Sequence, residues 1–125
     1  MVYLADSELR NKPCALKEIS EAKGIPFNFL EKIFAKLKKA NLVKSKKGVK
    51  GGYFLSHSAK KIVVAEIIKT LEDTMAPVLC MAEEKEKRYS CPRKRKCKTI
   101  DVWKKIQDSI NTTLDSIVLA DLARR

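Results

Sequence analysis

The sequence predicts a mainly helical fold broken once by a short β-hairpin. Three observations predict it. Apolar residues recur at three- and four-residue steps through much of the 125-residue chain, the mark of amphipathic helices. Two short strand-like runs, Leu42-Val43-Lys44-Ser45 and Tyr53-Phe54-Leu55, bracket a glycine–lysine turn. Near the C-terminus, one apolar stripe runs on too far for a small head to cover it.

Taken in order, residues 2–10 read as a short helix ended by Asn11-Lys12-Pro13. Ala15, Leu16, Ile19 and Ala22 mark a second helix with one apolar face. Lys23-Gly24-Ile25 makes a tight turn, in which Gly24 can take a positive φ, and Pro26 suits the first turn of the next helix. That third helix carries Leu30, Ile33, Phe34 and Leu37 on one face. Its other face carries Asn28, Lys32, Ala35 and Lys39, with Glu31 at the flank. Helix, glycine turn, helix is the outline of a helix-turn-helix, in which the second helix reads the major groove. An ordinary helical hairpin has the same outline.

The hairpin that follows sharpens the reading. Its tip, Lys46-Lys47-Gly48-Val49-Lys50-Gly51-Gly52, is slender and basic. Directly after a reader helix, such a hairpin is a wing that enters the minor groove or lies along phosphates. The DNA contacts expected there are Ser45, Lys46, Lys47 and Lys50. On the reader, Asn28 suits adenine, Glu31 suits cytosine N4, and Lys32 and Lys39 suit phosphate or guanine. His57 lies just after the wing, where a phosphate contact or an exposed side chain is expected.

After a connector, Ile62 and Val63 lead into a helix with Val64, Ile67, Ile68 and Leu71 on one face. Residues 73–97 form a long loop, which inside a small domain needs a reason. Cys80, Cys91 and Cys97 lie in it, three of the four cysteines of the chain. Thiolates this close, with no hydrophobic pattern around them, look like ligands for a soft metal or a cluster. Three thiolates and one further donor also suit tetrahedral zinc. The run Arg93-Lys94-Arg95-Lys96 touches DNA, stabilises thiolates or is solvated. Cys14, beside Ala15, reads as a small buried hydrophobe rather than a ligand.

The last long helix starts near Lys98. Ile100, Trp103, Ile110, Leu114 and Ile117 recur at heptad-like steps, with Ile106 beside the seam and Gln107 interrupting it. About twenty helical residues span roughly 30 Å. The simplest cover for such a stripe is its copy in a second chain; packing back on the same head is the alternative. The expected division is therefore a head over 1–72, a sensor loop over 73–97, and a dimerisation helix with C-terminal segment over 98–125.

Charge supports a polyanionic partner. Lys and Arg number 27 against 15 Asp and Glu, a net +12. Residues 16–61 hold 12 basic and 3 acidic residues, +9, and residues 83–105 hold 10 and 4, +6. Each phosphate neutralised by such a surface releases counterions. A solvated lysine-rich surface is the bland alternative. No apolar run reaches membrane-spanning length, and the N-terminus lacks the features of a signal peptide. The expected place is the cytoplasm, where thiols stay reduced. There is no acid–base pair or nucleophile–His arrangement, so no enzyme is expected.

Several segments then match a family in order. They are Leu16-Lys17-Glu18-Ile19, Gly24-Ile25, Phe29-Leu30-Glu31-Lys32-Ile33, Leu37, Leu42-Val43-Lys44-Ser45 and Gly51-Gly52-Tyr53. After them come Ile67-Ile68-Lys69-Thr70-Leu71-Glu72, the cysteine loop, Trp103 and Leu119-Ala120-Asp121-Leu122. Over nearly its whole length the chain resembles the IscR/NsrR-type winged-helix transcriptional regulators.

The resemblance implies a winged helix-turn-helix head plus a long C-terminal dimerisation helix, mainly α with a small β-hairpin wing. It implies a homodimer on palindromic promoter DNA, acting as a repressor. It also implies an iron–sulfur cluster, [2Fe–2S] or [4Fe–4S], held by Cys80, Cys91 and Cys97 plus one more ligand, whose state switches DNA binding. Two departures bear on that fourth ligand. Ile100 stands where some relatives have a histidine, and the first helix begins roughly a dozen residues late, so the acidic N-terminal ligand of others has no counterpart. Lys47 takes the place of a frequent wing arginine, keeping the charge and losing the planar fork. The alternatives are a thiol-only redox regulator without a cluster, and a zinc or redox protein docking acidic partners.

Overall fold

The structure is a computed structural model that describes residues 1–8, 12–82 and 91–123. Three helices lead: α1 (Val2–Glu8), α2 (Leu16–Lys23) and α3 (Phe27–Lys39). An antiparallel hairpin of β1 (Val43–Lys46) and β2 (Gly52–Leu55) follows, and then α4 (Val64–Leu71), α5 (Ile100–Asp115) and α6 (Leu119–Ala123). The helical class with one two-stranded hairpin is the expected one. The expected first helix ran to residue 10; residues 9–11 lie outside the described residues.

The turn between α2 and α3 is set by local chemistry. Gly24 caps α2 at φ 63, and its N–H reaches the carbonyl of Ser20. That left-handed backbone favours glycine. The Ser20 hydroxyl donates to the Ile25 carbonyl at 2.6 Å, closing the turn. α3 then buries Leu30, Phe34 and Leu37.

The hairpin pairs Val43 with Leu55, Lys44 with Phe54, Ser45 with Tyr53 and Lys46 with Gly52. Val43 is buried while Lys44, Ser45 and Lys46 are exposed, so the sheet is anchored at its base and solvated toward its tip. A third rail stabilises it. The N–H of Cys14 donates to the Tyr53 carbonyl at 2.9 Å, and the Tyr53 N–H donates back to the Cys14 carbonyl at 2.7 Å. The Tyr53 ring meets Phe34 of α3 edge-on, centroids 4.8 Å apart, a favoured aromatic arrangement.

The core gathers Leu4, Ile19, Leu30, Phe34, Leu37, Leu42, Val43, Leu55, Ile62 and Leu119. Leu119 is its most buried member, and α6 packs on α1. The C-terminal residues therefore return to the head. The Val64 N–H donates to the Ile117 carbonyl at 2.9 Å, the Leu119 N–H to Ile62 at 2.8 Å, and the Ala120 N–H to Ala59 at 3.1 Å.

This differs from one helix running through Ile117. α5 ends at Asp115, Val118 pairs with Val63 in an isolated bridge, and Ile117 sits in the connector. β-branched Ile117-Val118 suits extended backbone, and burying Leu119 in the core outweighs another turn of exposed helix. Among its described residues the long loop contains two 3-10 turns, Leu79–Met81 and Lys94–Lys96; residues 83–90 lie outside the described residues.

Candidate nucleic-acid interface and thiol loop

α3 presents Asn28, Glu31, Lys32, Ala35 and Lys39 to solvent, because its apolar residues occupy the opposite stripe. Helix and wing are joined at their base. The Lys38 ammonium donates to the Ser45 hydroxyl at 2.7 Å. Ser45, expected at DNA, thus also ties β1 to the reader helix and helps set the angle between them.

The wing tip is built for close approach. Gly48 has φ 111, the Gly51 N–H closes a turn onto the Gly48 carbonyl at 2.9 Å, and Val49 at the apex is fully exposed. Lys46, Lys47 and Lys50 are exposed around it. None of them, nor Lys32 or Lys39, pairs with a carboxylate among the described residues; the ion pair found there is Lys104 with Asp101 on α5. Reader and wing thus offer a row of uncompensated cations. His57 is exposed beside it.

Two residues escaped the sequence reading. Phe27 and Phe29, in the first turns of α3, are 43% and 57% exposed. Their signal was present: Leu30, Ile33, Phe34 and Leu37 already complete the apolar stripe, which leaves both phenylalanines outside it.

α5 bears no buried residue over its sixteen positions. Ile100, Trp103, Ile110 and Leu114 are half-buried, since α4 covers part of one side. Val102 is 56% exposed and Ile106 is 37% exposed. Ile117 is half-buried in the connector rather than on the helix. A helix in a protein gains most of its stability from packing its apolar face, and α5 leaves Val102 and Ile106 exposed.

The four cysteines are free, and they divide by burial. Cys14 is buried under the wing base, whereas Cys80, Cys91 and Cys97 are half-buried in the loop. Cys80 lies in the first 3-10 turn and Cys97 caps the second. The Cys97 sulfur lies 3.4 Å from the Thr99 hydroxyl. Hydrogen bonds from the Thr99 side chain and backbone hold its thiol below the ordinary value.

In kind, this donor set fits an iron–sulfur cluster: three reduced, accessible thiols with Arg93, Lys94, Arg95 and Lys96 exposed nearby. In arrangement, the structure does not bring them to one point. Among the described residues, no three Cys, His, Asp or Glu side chains are grouped to hold a metal ion. Ile100, in the position of a relative's histidine, begins α5 and has no ligating atom. No helix of the described residues is long and apolar enough to cross a membrane.

Comparison with known proteins agrees with this geometry. The model of one family, Rrf2, described as an iron-dependent transcriptional regulator, matches residues 1–125. Protein rrf2 of Nitratidesulfovibrio vulgaris is 35% identical over 113 residues, covering 90% of this chain and 73% of that one. The HTH-type transcriptional regulator IscR of Photorhabdus laumondii is 36% identical over 110 residues, 88% of this chain. The match spans 64% of that relative's length, just under two thirds. Among solved structures, CymR (YrzC), the global cysteine regulator of B. subtilis, superposes with a TM-score of 0.75 at 34% identity, covering 98% of this chain and 86% of that one.

Proposed function

Because the chain belongs to the Rrf2 family of transcriptional regulators, we propose that it is a homodimeric repressor of palindromic promoters, switched by an iron–sulfur cluster on Cys80, Cys91 and Cys97. That it is a DNA-binding regulator and not an enzyme rests on the family and the fold. The finer reading rests chiefly on one observation. Three accessible thiols occupy the loop that joins the head to α5, while the fourth cysteine is buried. A change in that loop alters how two heads are held relative to each other.

Each part has its residues. Asn28 and Glu31 read base edges, while Lys32, Lys39, Lys46, Lys47 and Lys50 neutralise phosphates, with Ser45 at the wing base. Ile100, Trp103, Ile110 and Leu114 form the dimer face, with Ile117 at its end. Cys80, Cys91 and Cys97 would hold the iron–sulfur cluster, which would supply redox and nitric-oxide sensitivity. The chain's own part is to offer thiolates, favoured at Cys97 by Thr99, beside cations that offset their charge.

Anaerobic reconstitution with iron and sulfide tests this reading. Visible absorption, bound iron and a several-fold change in affinity for a selected promoter fragment are expected, all lost in Cys80→Ser, Cys91→Ser and Cys97→Ser. Protein that takes up no iron refutes it.

A second reading, direct sensing by the thiols, is supported by the likeness to CymR, the global cysteine regulator of B. subtilis. It expects DNA affinity that ignores iron chelation and changes on mild oxidation.

A further inference from the structure

A cavity of about 330 Å³ opens between the end of α4, the start of the thiol loop and the middle of α5. It lies outside both the DNA face and the thiols. We propose that it binds a small zwitterion, an α-amino acid with an apolar or thioether side chain, as an effector.

The lining carries both charges such a ligand needs. Lys69 and Glu72 stand at the rim, Thr74, Gln107 and Asn111 supply polar atoms, and Met75, Ala76 and Met81 supply an apolar wall. Lys69 and Glu72 have no ion-pair partner among the described residues, although they are three positions apart on one helix end, where such pairs commonly form. One cation and one anion at the same mouth match a carboxylate and an ammonium.

The amides make the same point from inside. Gln107 interrupts the apolar face of α5. Its side-chain N–H groups are used, donating to the Met75 carbonyl at 3.3 Å and to the Asn111 side-chain oxygen at 3.1 Å. These bonds hold the pair in place. They leave the Gln107 oxygen as a vacant acceptor and the Asn111 NH₂ as a vacant donor among the described residues. The Thr74 oxygen accepts from the Ala76 N–H at 3.1 Å and keeps its own hydrogen to donate.

A carboxylate is then met by Lys69 and the Asn111 amide, and an ammonium by Glu72 and the Gln107 oxygen. The thioethers of Met75 and Met81 adapt to an apolar side chain. The volume lies at the small end of ligand pockets, which suits a small ligand.

The position makes occupancy consequential. Met81 adjoins Cys80 in the same 3-10 turn. Lys69 and Glu72 also line the neighbouring recess with Lys36 and Lys39 of the reader helix. A ligand there clamps the loop to α5 and engages Glu72, which shares a recess with Lys36 and Lys39.

Isothermal titration calorimetry on the whole protein tests the proposal, with the common L-amino acids as probes and acetate and methylamine as single-charge controls. At least one amino acid with an apolar or thioether side chain is expected to bind, with acetate and methylamine weaker by at least about tenfold. Lys69→Met and Glu72→Gln, both at exposed positions, should each weaken binding about tenfold or more with an unchanged melting temperature. Asn111→Leu should abolish binding, with circular dichroism confirming the fold. No heat and no thermal shift with any amino acid overturns the proposal. So does equal binding by the Lys69 and Glu72 variants, or acetate binding as tightly as the amino acids.

Discussion

The Lys36 ammonium of the reader helix donates to the Leu71 carbonyl, the last of α4, at 3.4 Å. α4 ends there, and the thiol loop begins two residues later. This contact joins the root of the loop to the helix that faces DNA, and it also satisfies a carbonyl at a helix C-terminus, where cations are favoured. Lys36→Met should cost under about 1 kcal/mol of stability, since the contact is exposed. It should instead narrow the difference in DNA affinity between the two states of the loop. Fluorescence anisotropy on one promoter fragment, before and after changing the loop's iron or oxidation state, measures this.

The wing lysines have no carboxylate partners among the described residues, so each is expected to contribute through phosphate. Lys46→Ala and Lys47→Ala should weaken binding to all sequences alike. Each should reduce the slope of log affinity against log salt by about 1. Glu31→Ala on the reader should behave differently, leaving the salt slope unchanged and relaxing preference at one base pair by about 1–3 kcal/mol. Binding measured on single-base variants of a selected site separates the two.

α5 has no fully buried residue within its own chain, so its apolar seam is a place where one charge should disassemble the proposed dimer. Ile110→Lys should give a folded head that sediments as a monomer and binds DNA at least about tenfold more weakly, because two linked heads gain effective concentration. Sedimentation velocity and circular dichroism together check this. A dimer that persists removes α5 as the interface.

Gly52 sits at φ 144, and a Cβ there would lie 2.5 Å from the Cys14 carbonyl carbon and oxygen. Both the backbone conformation and the space exclude a side chain. Gly52→Ala should cost on the order of 1–3 kcal/mol, a melting-temperature drop of several degrees. It should also expose Cys14, which is 2% exposed in the native fold. Thiol labelling under native conditions reads this directly: three thiols react in the parent and four in the variant.

Much of the head is legible in the sequence. Leu30, Phe34 and Leu37 at helical spacing, Gly24 at a left-handed turn and a lysine–glycine tip between strand-like runs all follow from short-range sterics and patterning. Asn28, Glu31, Lys32 and Lys39 share a face because a helix repeats every 3.6 residues. Apart from Phe27 and Phe29, what escaped are pairings that arise across the chain. Cys14 pairs with Tyr53 as a third rail of the sheet, Lys38 reaches Ser45, and Gln107 reaches Met75 over 32 positions. No periodicity records such pairings.

By itself, the sequence determined the helix-turn-helix, the basic hairpin and the thiol-bearing loop, since local propensity, spacing and charge act over a few residues. Tertiary structure decided the rest. It turned residues 117–123 back into the head, because burying Leu119 between Ile62 and α1 removes more apolar surface from water than extending α5 would. It separated buried Cys14 from the three accessible thiols, and it left α5 without a buried residue. Those outcomes depend on which distant surfaces meet, a competition among burial energies that a linear pattern does not contain.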